Sequence, residues 1–290
     1  MNTHELDGLV PAQVSPDDWH NLVLGHDRYG QPAGINLRHG AHSRIVGSLK
    51  TIALQRLAIS ALSRGNEVVW IDTQSAEVGR LRPWLKEVAT TPAEAGRSLI
   101  WLLREVGRRQ DLMTLWNVSC WRDLPRSMNL SPITVLVDNF NQLIQRGRSL
   151  EEALTSPRRS VKRRNAFAQF SASYHLQRLM SETESTGIHL VVADDAASAL
   201  QVPPSILSHI STQVLAPRPT DASGHLIGAL FPGAEAEVVK AICDLGEARG
   251  VMLIGTRKGV SAVRLSASLS AEAPVILSEI GVPKHSNRST

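Results

Sequence analysis

The sequence predicts an α/β protein with a mostly parallel central sheet and helices on both faces, and three observations carry that prediction. Short apolar runs such as Ile133–Val137 and Ile188–Ala193 have the pattern of strands covered on both sides. Longer stretches between them space their apolar residues as a helix does, with Leu54, Leu57, Ala58, Ala61 and Leu62 on one side of the first. The two patterns alternate along the chain, as parallel strands joined by helical crossovers require.

The elements follow in order. Residues 1 to about 30 are polar and turn-rich, closing on a tight turn at 26–32 between two short strands, the second at Ala33–Leu37. Arg44–Val46 reads as a strand and Leu49–Leu62 as a helix, stopped by Ser63-Arg64-Gly65 because glycine accepts the conformation just past a helix end. The strand Glu67–Ile71 closes on Asp72-Thr73. Thr91 caps a helix that Pro92 opens and that runs to about Leu115, with Leu99, Leu102, Leu103 and Val106 inward. Ile133–Val137 ends in Asp138-Asn139, Ala166–Met180 is helical, and Ile188–Ala193 is a further buried strand. A short turn or helix at 203–209, a strand at Thr212–Leu215, a helix at 234–244 and a hairpin over Val251–Leu265 complete the expectation. The domain expectation is an extension at 1–30, one domain over 31–265, and a C-terminal segment with a polar tail at 266–290.

At 290 residues, 42% hydrophobic and 20% charged, the chain is long and apolar enough for a sizeable core, which excludes disordered and small disulfide-framed classes. The net charge of +4 permits a polyanion partner without demanding one, and only six of the 31 cations are lysine. Cys120 and Cys243 lack metal-ligand spacing and read as thiols of a reducing compartment, with no structural zinc expected. His39, His42, His175 and His189 likewise lack metal spacing, and Trp84, Trp101, Trp116 and Trp121 read as core or interface residues rather than stacking platforms. The opening MNTHELDGLVPAQ has no signal-peptide layout, and no apolar run has the length of a bilayer crossing. The expectation is a cytoplasmic protein, open to recruitment by a membrane-bound partner.

In a parallel sheet, ligands sit beyond the carboxyl ends of the strands, so the chemistry is sought at Gly47-Ser48-Lys50-Thr51, Asp72, Asp138-Asn139 and Asp194-Asp195. A phosphate site needs amides at a helix start, a cation and a hydroxyl for the metal, which Gly47, Ser48, Lys50 and Thr51 offer in kind. The segment VGSLKT nonetheless has only Ser48 and Leu49 between glycine and lysine, so a plain strand-to-helix turn is the competing reading. Asp138 stands where an aspartate holds Mg²⁺, with Thr51 as the second metal contact; the competing reading is a polar strand exit. Asn139 hydrogen-bonds but cannot act as a carboxylate base. Arg158, Arg159, Lys162, Arg163 and Arg164, five cations in the eight positions 157–164, are candidate DNA contacts or a solvated loop.

Taken together, these segments resemble the FtsK/SpoIIIE/HerA-like ATPases, which include DNA translocases, conjugation motors and type VII secretion motors. The carriers are LGHDRYGQPAGINLRHGAHSRIVG, SLIWLLREVGRRQDLM, ITVLVDNFNQLI, TGIHLVVADDAAS and Gly246 through Met252, covering about residues 22–265 in the family's order. The resemblance implies a RecA-like P-loop NTPase fold, ATP with Mg²⁺, and a ring-like oligomer of self or of a related active ATPase. By it, Lys50 and Thr51 fall on the Walker A lysine and hydroxyl, Asp138 on the metal-holding aspartate, and Asp194 or Asp195 near the polar sensor. Asn139 replaces the usual glutamate, the P-loop is shortened, and ADDAAS replaces the threonine-glutamine sensor.

Because these departures gather where hydrolysis would occur, the leading expectation is a non-hydrolysing or weakly active subunit in the assembly or regulation of a DNA or protein translocation machine. The alternatives are an active translocase motor core, with Asp138 and Asn139 at the reaction, and a DNA-binding accessory using residues 158–164. The motor reading expects Lys50→Ala and Asp138→Ala to abolish nucleotide turnover while leaving folding largely intact.

Overall fold

The computed structural model describes residues 18–27, 29–39, 42–73, 78–147, 161–183, 185–216, 251–256, 259–264 and 282–285, together with Leu226, Gly228, Leu230, Phe231, Leu277 and Ser278. The expected helix at 234–244, Cys243, residues 246–250, Arg158 and Arg159 lie outside them. The strands are β1 (Asn21–His26), β2 (Pro32–Asn36), β3 (His42–Val46), β4 (Glu67–Asp72), β5 (Glu87–Ala89), β6 (Ile133–Asp138), β7 (Ile188–Asp194), β8 (Ile210–Leu215), β9 (Val251–Thr256) and β10 (Gly259–Arg264). The helices are α1 (Lys50–Ser63), α2 (Pro92–Leu115), α3 (Phe140–Gly147), α4 (Val161–Glu182) and α5 (Pro204–Leu207).

The ten strands form one sheet in the order β2-β1-β10-β9-β8-β3-β7-β6-β4-β5. The run from β8 to β5 is parallel throughout, while β9, β10, β1 and β2 add antiparallel neighbours on one side. The α/β class with a mostly parallel sheet is therefore as expected, and the hairpin expected near 251–265 is β9 paired with β10. The sheet also includes β1, upstream of residue 31, with Leu22 and Leu24 fully buried.

Successive residues of a strand point to opposite faces, and here both faces are covered. Trp70, Leu136, Val191 and Ala193 pack with Leu54, Leu57, Ala58 and Ala61 of α1 on one side. Val69, Ile71, Val135, Val137, Leu190 and Val192 pack on the other with Leu99, Leu102 and Val106 of α2 and Leu176 and Leu179 of α4. That two-sided burial explains why the central strands read as unbroken apolar runs. Thr91 caps α2 as expected: its hydroxyl accepts from the Glu94 N–H, and the Glu94 carboxylate accepts from the Thr91 N–H at 3.0 Å. Trp84 is buried and Trp121 half-buried against the core, whereas Trp116 is 47% exposed.

Candidate functional site

Strand order and register bring the polar strand ends together. Asp72 is the in-register neighbour of Asp138 across β4 and β6, and Asp194 is the neighbour of Val46 across β7 and β3. From Val46 the chain turns through Gly47, Ser48 and Leu49 and enters α1 at Lys50. Gly47 sits at φ 126°, a backbone conformation that needs glycine, so the glycine is explained by the turn itself.

The backbone amides of this turn are engaged within the chain. Gly47 donates its N–H to the Asp194 carbonyl at 2.9 Å, Leu49 to the Ala216 carbonyl at 3.0 Å, and Lys50 to the Gly47 carbonyl at 3.2 Å. Ser48 lies half-buried in the turn.

The Lys50 ammonium is closed onto the strand ends. It donates to Asp138 Oδ1 at 2.7 Å and Asn139 Oδ1 at 2.9 Å, and Asp195 Oδ1 lies 3.7 Å away. Its three N–H donors therefore face three acceptors. Thr51 donates its hydroxyl to Asp138 Oδ2 at 2.9 Å, and the Asn139 N–H reaches Asp138 Oδ1 at 2.8 Å. Asn139 Nδ2 points to Asp72 Oδ1 at 3.5 Å. Asn139 holds φ 54°, a left-handed conformation that asparagine tolerates better than most residues, and α3 starts directly after it. Burial works against the lysine's charge, but the hydrogen bond to Asp138 and the charges of Asp138, Asp195 and Asp72 outweigh it and hold the Lys50 pKa above its ordinary value.

A second buried cluster adjoins the first. Arg44 Nη2 donates to the Ala199 carbonyl at 2.6 Å and lies 3.4 Å from Asp194 Oδ2. Asp194 Oδ1 accepts the Asn141 N–H at 2.6 Å, and Asn141 Nδ2 donates to the Ser198 carbonyl. Asp194 thus ties β3 to α3, Arg44 and Asn141 carry the link on to the Ala199 and Ser198 carbonyls, and of the two neighbouring aspartates Asp195 is the one nearer Lys50. Sequence reasoning missed Arg44 and Asn141. A cation inside an apolar strand carries no pattern of its own, although RIV at a strand start did place Arg44 in β3.

Burial is the main influence on Asp194 and pushes its carboxyl up to about 6, against the opposing pull of Arg44, the Asn141 N–H and Lys50. The folded chain therefore holds this proton more tightly than the unfolded chain does. The associated stability is full below about pH 4, the ordinary range of an aspartate, and is lost as pH rises through about 6. Urea unfolding of the wild type between pH 4 and 7 is expected to show this decline, on the order of 2–3 kcal/mol, and Asp194→Asn to lack it. An unchanged slope in the variant would assign the titration to another group.

A bound triphosphate requires amides and an ammonium directed at the ligand. In this geometry three turn amides and the Lys50 donors already have partners, and Asp72, Asp138 and Asp195 surround the single cation with negative charge. The residues do not fit a triphosphate as they stand. Thr51 and Asp138, the metal pair by resemblance, are bonded to each other. Among the described residues no group of three His, Cys, Asp or Glu side chains gathers to hold a metal ion. Lys162, Arg163 and Arg164 fall in the first turn of α4, and Arg158 and Arg159 lie outside the described residues.

No family model matches the chain, and no curated protein matches it in sequence. Solved structures share its fold. The conjugation coupling protein TcpA of pCW3, in a monomer form with ATPgS, superposes with a TM-score of 0.72 at 16% identity over 96% of this chain and 73% of its own. The cytoplasmic domain of the type VII secretion ATPase EccC from Thermomonospora curvata gives 0.63 at 14% identity over 92% of this chain. EssC (ATPases 2 and 3) from Geobacillus thermodenitrificans gives 0.57 at 12% over 90%. The chain spans 31% of the EccC chain and 50% of the EssC chain. The fold implied by the FtsK-like resemblance is thus the fold observed.

Proposed function

We propose that this chain is a non-hydrolysing subunit with the fold of translocation ATPases, acting in the assembly or regulation of a DNA or protein translocation machine. The observation that carries this reading is the closed site: Lys50 bonded to Asp138 and Asn139, with the Gly47 and Leu49 amides donated to Asp194 and Ala216. Hydrolysis also needs a group that orients water and takes its proton, and Asn139 at the end of β6 supplies no carboxylate for that step. What the fold retains is its sheet and helical faces, which suit docking beside a related active ATPase or a second copy in a ring. The likeness to TcpA, EccC and EssC, a coupling protein and secretion ATPases, supports this choice of machine class. No helix among the described residues is long and apolar enough to cross a membrane.

Equilibrium titration of the purified chain with ATP and Mg²⁺ tests the reading. The expected result is no saturable binding up to about 1 mM, the weak end of ordinary affinities. Saturable binding that Thr51→Ala abolishes, with turnover stimulated by DNA, would overturn it in favour of an active motor core.

A further inference from the structure

A segment near the C-terminus is seated on a surface that no strand or long helix supplies. Between β4 and β5 the chain forms a short turn of 3₁₀ helix, Gly79–Trp84, whose Leu81 and Trp84 are buried together with the preceding Val78. Leu277 is fully buried in the same apolar cluster, and Val282 packs against it. The Val282 N–H donates to the Leu277 carbonyl at 2.9 Å, looping the segment back. Two residues later the Lys284 ammonium lies over the Trp84 ring, 5.1 Å from its centroid, and the His285 N–H donates to the Pro83 carbonyl at 2.8 Å.

These contacts are those of a peptide in a groove: apolar anchors, a cation on an aromatic face, and a main-chain hydrogen bond to a carbonyl left open at the end of the turn. Pro83 lies in the last turn of Gly79–Trp84, where carbonyls have no partner within the helix, so its oxygen is open to an outside donor. We propose that the surface formed by Val78, Leu81, Pro83 and Trp84 is a peptide-binding groove, and that the stretch carrying Leu277, Val282, Lys284 and His285 is its built-in ligand. The ligand chemistry is an apolar residue, a proline and a lysine in succession, preceded by a second apolar anchor. The groove begins at Val78, six residues along the chain from Asp72. This inference is independent of whether that site binds nucleotide.

Trypsin reads the groove, because Arg80 is exposed on the turn and is followed by Leu81, whereas the bond after Arg82 is protected by Pro83. The full chain is expected to resist cleavage after Arg80. A chain ending at Ile276 is expected to be cut there at least tenfold faster, while α2 is cut at an unchanged rate. A synthetic peptide of residues 277–290 added in trans should restore the resistance, and the same peptide with Lys284→Glu should not. Should the shortened chain fail to fold, full-length Lys284→Glu provides the second measurement, with cleavage after Arg80 expected to rise severalfold. Equal cleavage of the full-length variant and wild type, general digestion of a folded shortened chain, or no protection by the peptide would each overturn the proposal.

Discussion

Lys50→Ala is expected to lower the stability of the chain by roughly 3 kcal/mol, because it leaves the buried Asp138 carboxylate without its cation. In the motor reading the same substitution removes a ligand contact and leaves folding largely intact. The geometry supports the opposite outcome: Asp138 has a fully buried side chain, Lys50 is 8% exposed, and the pair is 2.7 Å apart. Replacing both groups together, Lys50→Met with Asp138→Leu, is expected to recover most of the loss, since breaking a buried pair costs more than removing it whole. Urea denaturation with circular dichroism checks both. A change below about 0.5 kcal/mol in Lys50→Ala, the usual size for a surface residue, would mean that the ammonium is free in solution.

Gly187→Ala carries the second large effect, expected at roughly 3 kcal/mol or more. Gly187 has φ 75°, and a Cβ there would fall 2.3 Å from the Trp121 ring. Neither neighbour has room to yield. The Gly187 carbonyl accepts the Ile133 N–H at 2.9 Å, and Trp121 donates its own N–H to the Ser185 carbonyl at 3.0 Å. The Trp121 ring also meets the Trp19 ring edge-on and lies under the Arg109 guanidinium. Thermal unfolding should fall by many degrees, and Trp121→Ala in the same chain should recover part of it by removing the collision. A midpoint within two degrees of wild type, about what a fraction of a kcal/mol produces, would show that the ring moves aside freely.

The central strands were legible because a strand buried on both faces must be apolar at every position, as Ile133–Val137 and Ile188–Ala193 are. The long helix α2 was legible from its cap and proline, and its end at Leu115 matched. Three elements had no such signal. Glu87–Ala89 is too short to show alternation, Pro83 broke any helical pattern over Gly79–Trp84, and α3 starts directly after Asp138-Asn139, which read as a polar strand exit into a turn. The candidate residues themselves were legible one at a time. Their pairing was not, because β7 lies between β3 and β6, and only strand order decides how far Lys50 stands from Asp138. The same residue types that would receive a phosphate and a metal ion serve equally well as an internal ion pair.

The sheet order also sets a timetable for synthesis. β1 finds β2 at once across a short turn, but its other neighbour is β10, where His26 stands opposite Arg264, roughly 240 residues later. At a synthesis rate of about 5–20 residues per second, the first hairpin waits on the order of ten seconds or more with one edge open. The parallel strands β3 to β8 can assemble during that interval, so the hairpin made before them is among the last parts of the sheet to be sealed. A nascent chain halted before β9 therefore presents an unpaired β1 edge, the natural point of capture for a chaperone or for another chain.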